Sequence, residues 1–208
     1  MKVLKILFWT AIILLSILFY SSNALPYLDG YRNPRFGDQL FTNQFWFVVH
    51  ILGASCSLFL GPVQFWKFAR VRFTKYHRIA GKIYIFGSLA AAVSAMRLSF
   101  FYSCIGCRYS LFILSCVFLF TTAAAWYAIK QRNIVAHQQF MVRSYTAALA
   151  FVFVRLDSII PMDFIFGNLK GEQLDIVVEW IFSFVPLMLV ELFMIWLPSL
   201  RRRQTQVV

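Results

Sequence analysis

Apolar residues in this chain come in long continuous runs rather than in the alternation of a half-buried strand. Crossing the hydrocarbon core of a bilayer takes about 20 apolar residues per helix, and six runs approach that length. They cover Ile6 to about Leu25, Phe45–Phe68, Ile79–Tyr102, Ser110–Ile129, about Phe140 to Leu156, and Ile176–Leu200. The connections are short, the longest being the polar stretch from Ser21 to Gln44. The pattern predicts an all-α, polytopic transmembrane bundle of six helices forming one integral membrane domain over residues 1–208. Residues 45–157 make a central four-helix unit, and residues 1–25 and 176–200 supply peripheral helices. Continuous runs also argue against a β-barrel, whose strands alternate.

The first run admits a second interpretation. Met1–Lys5 is a basic stretch, Ile6–Tyr20 an apolar one, and Ser22-Asn23-Ala24 resembles a signal-peptidase site. An uncleaved helix is the preferred expectation, because apolar residues continue almost to Pro26. The other five helices keep their orientation either way.

Composition agrees with a membrane protein: 61% of residues are hydrophobic, 19% aromatic and only 13% charged. Soluble domains have about a quarter of their residues charged. The net charge of +12 does not point to nucleic acid, given a mean hydropathy of +0.71. Divided by loop, the charge becomes a topology signal. Fourteen Lys and Arg fall on one side, among them Lys67, Arg70, Arg72, Lys75, Arg78, Lys130 and Arg201–Arg203, against Glu191 alone. Six, including Arg32, Arg35, Arg97 and Arg155, fall on the other with seven acidic residues, including Asp38, Asp157 and Glu179. Both termini are therefore expected in the cytoplasm, and the chain in the inner (plasma) membrane.

Helices two and three resemble helices four and five at an offset of sixty. Trp66 matches Trp126, Arg70 matches Lys130, Arg72 matches Arg132, and His77 matches His137. Such a parallel repeat would be related by an axis along the membrane normal, placing His77 and His137 at equal depth. Any two helical hairpins with basic loops and boundary Trp residues share part of this likeness.

The three histidines each open a local pattern. His50 lies roughly 9 Å inside the outer boundary, six residues at 1.5 Å each, and precedes Gly61-Pro62-Val63-Gln64-Phe65. His77 starts His77-Arg78-Ile79-Ala80-Gly81, and His137 starts the stretch ending Met141-Val142-Arg143-Ser144. On these motifs, over about residues 45 to 157, the chain resembles the bacterial multi-pass membrane family catalogued as domain of unknown function 2306. Members carry a helix-two His, Gly-Pro-x-Gln-Phe, His-Arg-x-x-Gly and His-x-x-x-Met-x-Arg-Ser. Where the family commonly has Arg-x-Trp after the last His, this chain has Gln138-Gln139-Phe140, keeping an aromatic and dropping a charge. The resemblance implies a polytopic membrane protein and no particular activity.

Three chemistries fit the remaining features. Helical bundles hold haem between His residues on facing helices. That makes His77 and His137 candidate ligands of a b-type haem, with Arg78 and Arg143 as partners for its propionates. The bland alternative places both His at helix ends in the interface. His50, deeper in, is a candidate polar site, since a lone polar group in hydrocarbon is costly. A small transporter, or an accessory or assembly subunit of a membrane complex, would use these residues without catalysis. Third, Cys104-Ile105-Gly106-Cys107 in the outer loop has the spacing of a thiol–disulfide exchange pair or a local staple. Arg143 and Glu191 are placed to meet across helices five and six. No phosphate loop, HExxH pair or Ser-His-Asp arrangement is present, and the expected non-protein partner is the lipid bilayer. Catalysis is neither required nor excluded.

Overall fold

A computed structural model describes residues 2–30, 43–154, 162–167 and 169–198. Arg32, Arg35, Asp38, Arg155, Asp157 and Arg201–Arg203, which enter the division of charge by loop, lie outside the described residues. Every regular element among the described residues is helical: α1 (Lys2–Asn23), α2 (Leu25–Leu28), α3 (Gln44–Phe65), α4 (Lys67–Arg72), α5 (Thr74–Ser99), α6 (Ile105–Lys130), α7 (Ile134–Val154), α8 (Asp163–Phe166) and α9 (Glu172–Glu191). One π-helical turn, Leu192–Trp196, continues α9.

Helices α3, α5, α6 and α7 form a four-helix bundle. Its perimeter runs α3 to α5, α5 to α6, α6 to α7, and back from α7 to α3. Thus α5 and α7 stand diagonally opposite. Helix α9 covers α6 and α7, and α1 leans on α3 and α7. The end where α5 and α7 begin carries Lys67, Arg70, Arg72, Lys75, Arg78, Lys130 and Arg132, and is the basic end of the bundle.

Five helical segments are long and apolar enough to cross a bilayer: Ile6–Leu28, Gln44–Phe65, Thr74–Ser99, Ile105–Lys130 and Glu172–Trp196. The sixth expected span, α7, has 21 residues but does not join them. His137, Gln138, Gln139 and Arg143 dilute its apolar character. Its packing against α1, α3, α6 and α9 leaves His137, Gln139 and Arg143 partly buried. Large apolar residues crowd the outside instead: Leu4, Phe8, Phe86, Phe120 and Phe193 are each more than half exposed. This is the inverse of a water-soluble surface.

The interior is built from small residues. Ser57, Ser88, Ser94, Ser110, Ser144, Ala92, Ala125, Ala147 and Ala150 are fully buried. Between helices in lipid no hydrophobic gain is available, so close backbone approach and interhelical hydrogen bonds hold the bundle. The tightest approach is α3 against α5 at Gly53 and Gly87: a Cβ on Gly53 would lie 2.5 Å from the Gly87 carbonyl oxygen. Serine and tyrosine supply the bonds. Ser57 Oγ and Ser88 Oγ are 2.7 Å apart, and Tyr84, which also bonds Ser88, reaches Ser144 Oγ at 2.9 Å. Ser144 Oγ in turn lies 2.8 Å from Thr122 Oγ1. One chain of hydroxyls thereby links all four helices of the bundle.

Two helix boundaries differ from the apolar runs. Helix α5 starts at Thr74 rather than Ile79, and α6 at Ile105 rather than Ser110. The extra turn of α5 is polar and the apolar character of that of α6 is broken by Gly106 and Arg108, and both continue the helix beyond its apolar stretch. As a result Cys104-Ile105-Gly106-Cys107 is not free loop but the N-terminus of α6, with Cys104 Sγ accepting from the Cys107 amide at 3.1 Å.

Candidate functional site

The Gly61–Phe65 segment and the motifs that His77 and His137 open, far apart in sequence, converge at the basic end of the bundle. Pro62 sits inside α3 and brings no N–H, so the carbonyl four residues earlier, on Leu58, loses its backbone donor. The Tyr145 hydroxyl of α7 donates to that oxygen at 3.4 Å. Gly61 makes the room, because a Cβ there would overlap the Tyr145 ring. Gln64, buried at 7% exposure, lies over Gly81 of α5, whose missing Cβ would stand 3.1 Å from Gln64 Oε1. Tyr84 and Ser144 close the group across the bundle.

His77 and His137 both occupy the fourth residue of their helices, α5 and α7. Their amides donate to Phe73 and Asn133 carbonyls at 2.9 and 3.0 Å respectively. The two rings differ in one respect. His137 Nδ1 donates to the Ala125 carbonyl at 2.9 Å, which in the neutral ring leaves Nε2 as a lone pair. Among the described residues, His77 Nδ1 is buried with no hydrogen-bond partner, as is Gln64 Nε2. The residue sixty before Ala125 is Phe65, the last residue of α3. There the chain turns extended at Trp66, with φ −75° and ψ 105°, so the bundle is not regular at the point where His77 would find the matching carbonyl.

The two arginines part ways. Arg78 is exposed and is available to a ligand at the basic end. Arg143 is not: it makes a two-pronged pair with Glu191, Nε to Oε1 and Nη2 to Oε2, the latter at 2.9 Å. Its side chain is only 13% exposed. The expected meeting of Arg143 and Glu191 is found, and it takes Arg143 away from the propionate role. Arg97 is exposed and lies over the Phe101 ring at 4.7 Å, as a snorkelling side chain should.

His50 is separate from this cluster. It lies towards the far end, its Nδ1 donating to the Ala91 carbonyl at 3.1 Å and its ring edge-on to Phe151. It lines a cavity of roughly 180 Å³ that also touches Glu179 of α9, a buried carboxyl group. Neither His77 nor His137 lines that cavity.

A family model described as "Predicted membrane protein (DUF2306)" matches residues 47–195, nearly all of α3 through the π-helical turn. The chain belongs to the DUF2306 family. The match takes in nearly all of the bundle and α9, so the motif cluster, the Arg143–Glu191 pair and the bundle side of the cavity fall inside the DUF2306 region, while α1 and α2 complete the cavity wall from outside it. No curated protein and no solved structure matches the chain.

Cys104 and Cys107 are disulfide-bonded, 8% and 1% exposed, while Cys56 and Cys116 are free. A pair so enclosed offers an attacking thiolate little access, which favours the staple over exchange. Denatured, unreduced protein should therefore take two maleimide labels and reduced protein four, counted by gel shift. Four labels without reductant would remove the staple. The hydroxyl chain was missed at the level of sequence. The one signal for it was the sixty-residue offset itself, which pairs Tyr84 with Ser144.

Proposed function

We propose that this DUF2306 protein spans the inner (plasma) membrane six times with both termini in the cytoplasm. In this reading it holds one b-type haem between His77 and His137 on its cytoplasmic side. The observation carrying this reading is the pair itself: two histidines at the same turn of diagonally opposite helices. The donor chemistry fits on two counts. Metal-ligating histidines usually donate their second nitrogen to a carbonyl, as His137 does to Ala125. His77 has a buried ring nitrogen with no hydrogen-bond partner among the described residues. Arg78, exposed at the same end, would pair with a propionate. When bound, such a group supplies one-electron transfer. The repeat is supported by Tyr84 and Ser144, sixty residues apart and bonded across the bundle as a twofold axis along it would place them.

A reduced-minus-oxidised absorption spectrum of the detergent-solubilised protein, expressed with haem supply, tests this. We expect a Soret and α-band change that His77→Ala and His137→Ala each abolish and His50→Ala leaves intact. A flat spectrum from folded wild-type protein overturns the haem reading. It would leave the second one, a transporter or accessory subunit without catalysis, which the cavity beside His50 and Glu179 favours.

A further inference from the structure

The cavity at the far end has a chemical bias independent of the haem reading. It lies between α1 and the bundle, and its volume of roughly 180 Å³ slightly exceeds the ~150 Å³ in which an apolar protein cavity takes up benzene. One aromatic ring with small substituents is the body that fits. The walls are largely apolar and aromatic, with Phe47 and Phe151 among them.

The polar groups in the wall decide what such a ring must carry. Tyr20, Asn23, Tyr27, Tyr102 and the Glu179 carboxyl contribute to the wall, and four further polar side chains, all neutral, come from α3, α5 and α6: His50, Ser55, Ser99 and Ser115. Each has already committed a proton to a backbone carbonyl. His50 Nδ1 donates to Ala91, Ser55 Oγ to Ile51 at 2.6 Å, Ser99 Oγ to Met96 at 2.8 Å, and Ser115 Oγ to Leu111 at 2.7 Å. What remains on all four is lone pairs: Nε2 on the neutral imidazole and the free side of each hydroxyl. A ligand that can only accept, such as a ketone or an ether, would leave the lone pairs of these four groups unmatched. A ligand with a hydroxyl would satisfy both sides, and an unmade buried hydrogen bond is the costlier alternative.

We infer that this cavity binds a membrane-soluble aromatic hydroxyl compound, a phenol or hydroquinone ring, through donation of its hydroxyl to His50 Nε2. A neutral hydroxyl matches these four neutral acceptors, whereas the Glu179 carboxyl in the same wall would favour an ammonium, and the test separates the two.

The test uses full-length protein in lipid nanodiscs, with empty nanodiscs subtracted for partitioning, titrated calorimetrically with 4-ethylphenol and its methyl ether, 4-ethylanisole. These probes have nearly the same shape and differ in the donor. Wild-type protein should bind the phenol saturably and the ether about tenfold more weakly or worse. His50→Phe should reduce the phenol to the level of the ether, and Ala54→Phe, which fills the cavity, should abolish binding of both. Equal affinity for the two probes in wild-type protein overturns the proposal, as does uptake no greater than that of empty nanodiscs. Tighter binding of 2-phenylethylammonium than of the phenol overturns it too. If His50→Phe does not fold, the wild-type comparison of phenol and ether decides alone.

Discussion

Gly53→Leu is expected to prevent α3 from seating on α5 and to leave little monodisperse protein. A Cβ at residue 53 would stand 2.5 Å from the Gly87 carbonyl oxygen, 2.9 Å from the Ala91 amide nitrogen and 3.2 Å from the Ala91 Cβ. Two of the three obstacles are backbone, so no rotamer change relieves them and the helices must separate. Separation also breaks the Ser57–Ser88 bond one helical turn away and pulls His50 from the Ala91 carbonyl. Overpacking a core typically costs about 1–3 kcal/mol. Here the new side chain meets backbone, and both of those hydrogen bonds break as well, which puts the cost at the top of that range or above it. The neighbouring Leu52 is 54% exposed, so Leu52→Ala should melt close to wild type. Size-exclusion profiles and Tm of the two variants make the comparison. A Gly53→Leu protein that elutes and melts like wild type would refute the close packing of α3 and α5.

Glu191→Met should lower Tm, and Arg143→Met added to it should restore most of the loss. Arg143 lies nine residues into α7, about 14 Å along the helix at 1.5 Å per residue, and its side chain is 13% exposed. Removing Glu191 strands that guanidinium among apolar neighbours. Breaking a fully buried pair costs about 3–5 kcal/mol. The Glu191 side chain is 40% exposed, so solvent already shares in holding the charge, and roughly 2 kcal/mol is the fitting figure. The double variant removes both charges together, and replacement of such pairs by apolar groups of similar volume is often close to neutral. Thermal melts of the four proteins in one detergent form the cycle. If the double variant is no more stable than Glu191→Met, the pair is not what stabilises this contact between α7 and α9.

Much of this architecture is legible in the apolar runs, because hydrocarbon demands continuous apolar length and leaves only helix or closed barrel to satisfy the backbone. Where the runs misled, polar residues were the cause. Thr74–Arg78 and Ile105–Tyr109 continue helices past their apolar stretch, since a helix needs lipid-compatible side chains only where it meets lipid. The opposite happened in α7, where His137, Gln138, Gln139 and Arg143 weaken the apolar signal of a helix that packs against α3, α6 and α9. The three histidine motifs stood out in sequence, and so did the prospect that Arg143 meets Glu191.

What the sequence determined by itself is the class of solvent, the helical build and a sidedness of charge. Each of these depends on single residues and their spacing. Tertiary structure decided everything that depends on two helices at once. It set Gln64 over Gly81 and Tyr145 on the carbonyl freed by Pro62, put His77 and His137 on opposite helices, and took Arg143 for Glu191. It also left a cavity where α1 leans on the bundle beside His50. Those outcomes turn on how closely glycine and serine faces approach, and contact energy changes steeply over a few tenths of an ångström. Periodicity along one chain carries no such distance.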